Sequence, residues 1–374
     1  MDQFWNPVHT VVGDGAAAET ADVLRQMGAQ GKNVLLLVWN NALLEREEFA
    51  GLLSSRDFQA TPYCFQASNP TVGQLFETYR QTRELKPAAV VAVGGGSILD
   101  VGKSLCCLSG ADIPSEEELR AAIREKTLPS PAARWIGIPT TAGTGSEVTC
   151  WATIWDPDKN AKLSVESKEN YAYAALVDPS LAAGMPVSLA VSSGLDAVAH
   201  AVESYWAKAS NTVSKGLALR AVDIIMKDMD RLVDGCPEAH LSMAQGSMLA
   251  GMAFSNTKTT ACHSISYPLT MRYNIPHGAA VSMLLAPVMR LNAPMIEDLP
   301  ALLHALRLDS LDDVGPRVRE LLKKAGLPSS LGEWGAKEED LPELAKLGMT
   351  KGRADNNPHE LNEQIILEIL RSIY

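Results

Sequence analysis

The chain has 374 residues, well beyond the roughly 100–200 of one ordinary domain, and its 46% hydrophobic and 21% charged residues exclude a disordered or low-complexity polymer. Lys plus Arg number 33 and Asp plus Glu 44, a net charge of −11 without a basic run, which argues against nucleic acid and anionic membranes as partners. No basic-then-apolar leader opens the sequence, no apolar run approaches a membrane span, and six cysteines lack any C-x-x-C pair. The expected location is the cytoplasm, with the thiols reduced and mostly buried.

In chain order, residues 34–39 (VLLLVW) read as a buried strand and 71–85 as an amphipathic helix. Residues 88–93 (AAVVAV) and 135–139 read as two more buried strands. Continuous apolar strands separated by helices indicate a parallel sheet covered on both faces. Past Pro186 the texture changes to long helical patterns at 187–206, 213–233, 238–254, 278–290, 314–325 and 358–373. The expected organisation is an α/β domain over 1–182 and an all-helical domain over 183–374, with the boundary in 178–186 (DPSLAAGMP).

Strand 88–93 runs straight into Gly94, Gly95, Gly96 and Ser97 and then a helix. Glycines let backbone amides approach a ligand, and the helix start favours an anion such as a phosphate. A tight strand-to-helix turn is the plainer reading of that triplet alone. The next strand ends in a second loop of small and hydroxyl residues, 139–147 (PTTAGTGSE), where a strand edge should meet a ligand. Two such loops on one sheet suit a dinucleotide, so 1–182 is expected to be the dinucleotide-binding domain. The G-x-G-x-x-A match at 13–18 lacks its acidic partner, because the following strand ends in Trp39, Asn40 and Asn41, and it is read as a structural turn.

Of seven histidines, His9, His240, His304 and His359 stand in polar or terminal surroundings and are expected at the surface. Asp196 and His200 lie four apart in helix 187–206 and project from one face. His263 follows in a small-residue segment and His277 at a helix start. Taken singly, each histidine is an ordinary core or surface group. Taken together, an Asp and three imidazoles form an N₃O set suited to Fe²⁺ or Zn²⁺, with positions left for a substrate oxygen. Glu203 reads either as a partner behind these ligands or as a plain surface charge.

The motifs GGGSILDVGK (94–103), IPTTAGTGSE (138–147), Asp178-Pro179, GLDAVAH (194–200) with Glu203, GMAFSN (251–256), His263 and PHG (276–278) occur in an order and spacing that resembles the iron-activated, or group III, alcohol dehydrogenases. The resemblance runs from about residue 5 to past residue 290. It implies metal ligation by Asp196, His200, His263 and His277, and an active site in a cleft between the two domains. It implies cofactor contacts at Gly95, Gly96, Ser97, Asp100, Thr140, Thr141 and Thr144, with Lys162 beside the nicotinamide ribose. Three departures carry expectations of their own. Tyr267 stands where many members have a second histidine, so a proton relay at that position would run through a phenol. Asn40 replaces an Asp aimed at the adenosine ribose, which leaves NADPH open beside NADH. Thr257, Lys258 and Thr259 replace small apolar residues, and this polar stretch resembles the branch that reduces sulfoacetaldehyde or phosphonoacetaldehyde.

The expected chemistry is therefore hydride transfer between NADH and a carbonyl carbon, with Fe²⁺ or another divalent ion such as Zn²⁺ as Lewis acid. The partner is a small aldehyde or alcohol, and the expected assembly is a homodimer or larger homo-oligomer. Neutral alcohols and diols (1,2-propanediol, 1,3-propanediol, butanol, ethanol) are the alternative substrates. A dehydroquinate-forming lyase would need more Lys and Arg in the helical domain. A metal hydrolase would leave both glycine loops unexplained.

Overall fold

The apolar runs that mark strands in the sequence become neighbours in one parallel sheet. The computed structural model describes residues 2–159, 161–350 and 352–374. Its strands are β1 (His9–Val12), β2 (Asn33–Val38), β3 (Gln59–Cys64), β4 (Ala89–Gly94), β5 (Arg134–Pro139), β6 (Trp151–Asp156), β7 (Ala161–Glu166) and β8 (Ala174–Val177). Six of them form a sheet in the order β1-β8-β5-β4-β2-β3, all parallel, with Val34 opposite Ala89 and Gly94 opposite Pro139. β4 and β8 are buried along their whole length, as strands covered on both faces must be. β6 and β7 form a separate antiparallel hairpin that the apolar-run criterion did not reveal.

The chain divides into two compact units: Asn6–Thr141 with Ser146–Ala182, and Ala183–Tyr374 with residues 2–5 and Ala142–Gly145. The break between Ala182 and Ala183 lies within the segment 178–186. The grouping of 2–5 and 142–145 with the helices departs from a single cut.

In the α/β unit, helix Gly96–Leu108 packs tightly on β4. A Cβ on Gly102 would lie 2.8 Å from the Ala92 methyl, and one on Gly94 would lie 2.4 Å from Ile98 Cγ1. The G-x-G segment at 13–18 is indeed a turn: Gly13 and Gly15 both have positive φ, and Asp178 accepts the freed Ala17 N–H at 3.2 Å.

The helical unit is built on Val187–Trp206, Thr212–Val233, Ala239–Thr257, Ala261–Tyr273 and His277–Asn292 around one large apolar core. Ala261–Tyr273 was not expected as a helix. Residues 261–270 are buried on every side, so no amphipathic period marks them, and Pro268 lies inside. Two further expectations need correction: the last helix starts at Glu363 rather than 358, and His240 is buried at 8% exposure with burial lowering its pKa. All six cysteines are free thiols, four of them buried. Among the described residues, no helix is long and apolar enough to cross a membrane.

Candidate active site

Three helices of the helical unit converge on one cluster. Val187–Trp206 carries Asp196, His200 and Glu203 at spacings of four and three, so all three share one side. Ala261–Tyr273 carries His263 and Tyr267, again four apart, and His277 is the first residue of His277–Asn292. The approach of the last helix depends on Gly278. A Cβ there would sit 1.9 Å from the Ser192 carbonyl oxygen and 3.0 Å from the Asp196 Cβ, so only glycine brings His277 to the carboxylate.

Asp196, His263 and His277 each offer one ligand atom, and these atoms lie within 4.8 Å of one another. Asp196 Oδ1 is 3.4 Å from His263 Nε2 and 4.0 Å from His277 Nε2. Oδ1 and His263 Nε2 are both buried without a hydrogen-bond partner. Such orphaned atoms are costly unless something coordinates them, and a carboxylate oxygen facing imidazole nitrogens is a donor set that fits a borderline divalent cation. Burial by itself would raise the Asp196 carboxyl, but His200, His263 and His277 together hold it well below the ordinary carboxylate range.

His200 stands beside this trio rather than within it. Its ring stacks on Phe254 and on His263, with centroids 4.2 Å away in both cases, and its Nδ1 lies 3.2 Å from the Gly143 carbonyl. That contact makes Nδ1 the donor and leaves Nε2 with a lone pair. Burial pushes the His200 pKa down to about 4, which keeps the ring neutral and able to ligate.

Glu203 is fully buried and resolves the choice left open by the sequence. One oxygen takes the His263 Nδ1–H, and the other accepts from Thr260 Oγ1 at 2.7 Å and the Cys262 N–H at 2.6 Å. A carboxylate on Nδ1 fixes the tautomer that presents Nε2 as a ligand. Burial opposes it, yet Glu203 and Asp196 together raise the His263 pKa. Tyr267 is buried at 6% exposure and stacks on His277, centroids 5.9 Å apart at 9°. Burial raises its pKa, partly offset by Arg353, whose guanidinium lies 5.3 Å above the ring.

The polar stretch before His263 is not a set of free donors. Thr257 is 1% exposed and donates to Ser204 Oγ at 3.0 Å, Thr259 accepts from Arg353 Nε at 3.2 Å, and Lys258 is exposed at the end of Ala239–Thr257 with φ +60. Arg353 itself carried no motif that sequence could flag.

In the α/β unit, Gly95 caps helix Gly96–Leu108 at the end of β4, and the Thr140 N–H donates to Gly94 O at 3.0 Å, joining the two loops. A Cβ on Gly95 would meet Thr141 Oγ1 at 3.3 Å. Gly95, Gly96, Ser97 and Thr141 are half-buried, and the Ser97 hydroxyl accepts the Asn69 N–H at 3.1 Å. Lys162 lies 5.3 Å above the Trp155 ring on the β6–β7 hairpin. Asn40 Oδ1 accepts the Ala42 N–H at 2.9 Å just past β2. Thr144 belongs with the helical unit. Asp100, near the start of helix Gly96–Leu108, accepts from Ser146 Oγ at 2.7 Å and from the Thr153 N–H at 2.9 Å.

Two family models match, Iron-containing alcohol dehydrogenase over residues 7–179 and Fe-containing alcohol dehydrogenase family, C-terminal, over 190–374. The chain is 32% identical to the 1,3-propanediol dehydrogenase of Klebsiella pneumoniae over 296 residues, 76% of each chain. It is 28% identical to the lactaldehyde reductase of Escherichia coli K12 over 378 residues, 97% of each. The solved structure of sulfoacetaldehyde reductase from Bifidobacterium kashiwanohense in complex with NAD+ superposes with a TM-score of 0.89 at 25% identity, covering 100% of this chain and 98% of that one. The two-part match, the propanediol dehydrogenase relationship and the Asp-His-His cluster agree: the chain belongs to the iron-containing alcohol dehydrogenase family and is an oxidoreductase acting on alcohols or aldehydes.

Proposed function

We propose that this protein reduces a short-chain aldehyde to its alcohol with NADH or NADPH and a bound Fe²⁺ or other divalent ion. The proposed substrate is a two-carbon anionic aldehyde, sulfoacetaldehyde giving isethionate or phosphonoacetaldehyde giving 2-hydroxyethylphosphonate. The observation that carries the metal-dependent reading is the pair of orphaned ligand atoms, Asp196 Oδ1 and His263 Nε2, facing each other in a buried cluster. The anionic substrate draws support from the structural likeness to sulfoacetaldehyde reductase. The 32% identity to 1,3-propanediol dehydrogenase favours a second reading, a dehydrogenase of neutral diols or alcohols. Free thiols suit work in a reducing compartment such as the cytoplasm.

Asp196, His263 and His277 would hold the ion, with His200 beside them, while the loops at Gly95–Ser97 and Thr140–Thr141 would cradle the pyrophosphate. When bound, the ion polarises a carbonyl oxygen and the nicotinamide supplies a hydride. The chain's own residues do the rest. Asp196 contributes the negative charge, Glu203 and Gly143 fix the tautomers of His263 and His200, and Tyr267 keeps its phenolic proton beside His277.

The test is NADH consumption by protein stripped of metal and reloaded with Fe²⁺ or Zn²⁺, offered sulfoacetaldehyde, phosphonoacetaldehyde, propanal and 1,3-propanediol with NAD+. Metal-dependent reduction of the anionic aldehydes ahead of propanal is expected. Preference for propanal or propanediol would move the protein to the second reading, and metal-independent turnover would remove the ion from the chemistry. Asn40→Asp keeps the Ala42 cap but sets a carboxylate where a 2′-phosphate would lie, so the NADH-to-NADPH preference should rise.

A further inference from the structure

The sequence points to Thr257, Lys258 and Thr259 as an anion-binding stretch, and in the structure the two threonines bond to other side chains. Asn356 Nδ2 donates to the carbonyls of Thr257 at 2.8 Å and Thr259 at 3.1 Å, and Arg353 Nε donates to Thr259 Oγ1. A few residues earlier the Thr350 N–H donates to Ser264 Oγ at 2.8 Å, one position after His263. Thr350, Arg353 and Asn356 are thus tied to the helix that carries His263 and Tyr267 and to the residues just before it. Arg353 presents a half-buried guanidinium against the Tyr267 ring, which in turn stacks on His277.

From this we infer that Arg353 is the specificity-determining residue of the site, the group that receives the anionic tail of the substrate. The inference rests on the proposed aldehyde reduction. With Nε tied to Thr259 and the guanidinium also hydrogen-bonded to the Tyr267 phenol, three of its five N–H donors are left, all on the Nη groups, to meet oxygens of a sulfonate, phosphonate or carboxylate. Among the described residues no carboxylate forms an ion pair with it; its contacts there are Thr259 and Tyr267. It stands over the Tyr267 ring, which itself stacks on His277 of the ligand cluster. The net charge of −11 repels anions at long range, so selection of such a substrate has to come from a local, partly desolvated cation. Lys258 does not meet that description, because it is exposed at a helix end.

The experiment compares wild type, Arg353→Ala, Arg353→Lys and Lys258→Ala, each metal-loaded, in two measurements: steady-state kinetics on sulfoacetaldehyde and propanal, and calorimetric binding of ethanesulfonate. Arg353→Ala should lower kcat/KM for sulfoacetaldehyde about 100-fold, mainly through KM, and change propanal by no more than about threefold. Arg353→Lys should fall between, since it keeps the charge and loses the fork, and Lys258→Ala should match wild type. Ethanesulfonate should bind wild type and not Arg353→Ala. Equal losses on both aldehydes with a shifted pH profile would overturn the inference and make Arg353 a residue acting through Tyr267. Unchanged kinetics, or no ethanesulfonate binding by wild type, would also overturn it. Arg353-dependent ethanesulfonate binding by a protein that reduces neither aldehyde would leave the anion site standing and sink the proposed reaction instead.

Discussion

Each unit of this protein buries a cluster of charged groups, and the two clusters are finished differently. In the α/β unit, Lys103 is wholly buried, and its ammonium donates to Ser146 Oγ, Thr149 Oγ1 and the Trp151 carbonyl at 2.7–2.8 Å, with Asp100 at 3.6 Å. All three protons are used, and both oxygens of Asp100 are engaged. In the helical unit, Asp196 and His263 each keep one buried atom without a partner. A closed network holds loops in place, whereas an open one is stable only when a ligand completes it. Burial and charge alone do not distinguish a brace from a site; the unsatisfied atoms do.

The largest expected effect comes from breaking the open cluster. Asp196→Asn removes the only anionic ligand of the trio, so metal retained after dialysis should fall to background and turnover should drop at least about 1000-fold. The metal-free protein should also lose stability at neutral pH, because the attraction of His200, His263 and His277 that holds the Asp196 carboxyl low is removed. Retained metal at wild-type stoichiometry would show that the cluster is not the ligand set. The mirror experiment is Lys103→Met. Taking the cation out of a closed network strands the Asp100 carboxylate in a buried site and should cost about 3–5 kcal/mol by denaturant unfolding, with metal content per folded molecule unchanged.

A milder perturbation sharpens the contrast within the open cluster. In Glu203→Gln the amide still accepts from Thr260 and Cys262 through its oxygen, but its NH₂ cannot accept the His263 Nδ1–H. The proton is driven to Nε2, the ligand atom, and metal affinity should weaken about 10–100-fold in a chelator competition. An unchanged affinity would mean that the tautomer is held by something other than Glu203.

The smallest effect concerns Glu147, two per cent exposed beside the closed cluster, whose carboxyl burial pushes up to about 7 despite the pull of Lys103. Between its ordinary pKa of 4.5 and 7 the folded chain binds more protons there than the unfolded one, so this group's contribution to stability falls as pH rises through that window. Glu147→Gln should therefore raise the melting temperature at pH 8, by up to roughly 3 kcal/mol in stability, and leave it nearly unchanged at pH 4. Equal gains at both pH values would show that packing rather than titration is responsible.

Much of the architecture was legible because its signals are local. β2, β4 and β5 are apolar runs bounded by turn residues, and Val187–Trp206 matches its predicted helix from end to end. β6, β7 and Ala261–Tyr273 were not legible. The hairpin strands mix polar and apolar residues on a half-buried surface, and the helix is buried on all sides, so neither shows a clean period. Among the site residues, the ligand atoms of Asp196, His263 and His277 lie within 4.8 Å of one another, while the Thr257 hydroxyl bonds to Ser204 and that of Thr259 to Arg353, contacts that no local pattern marks.

The sequence by itself determined the two-part organisation, the glycine loop at the end of β4 and the supply of an Asp and histidines on helical segments, since each follows from composition, period or a short motif. Tertiary structure decided which buried polar atoms are satisfied, that Gly278 lets one helix cross another closely enough to deliver His277, that Glu203 sits behind His263, and that a guanidinium from position 353 reaches Tyr267. The three named contacts join residues 60 to 86 positions apart. Hydrogen-bond satisfaction and close approach are properties of three-dimensional packing, and no local pattern in the chain encodes them.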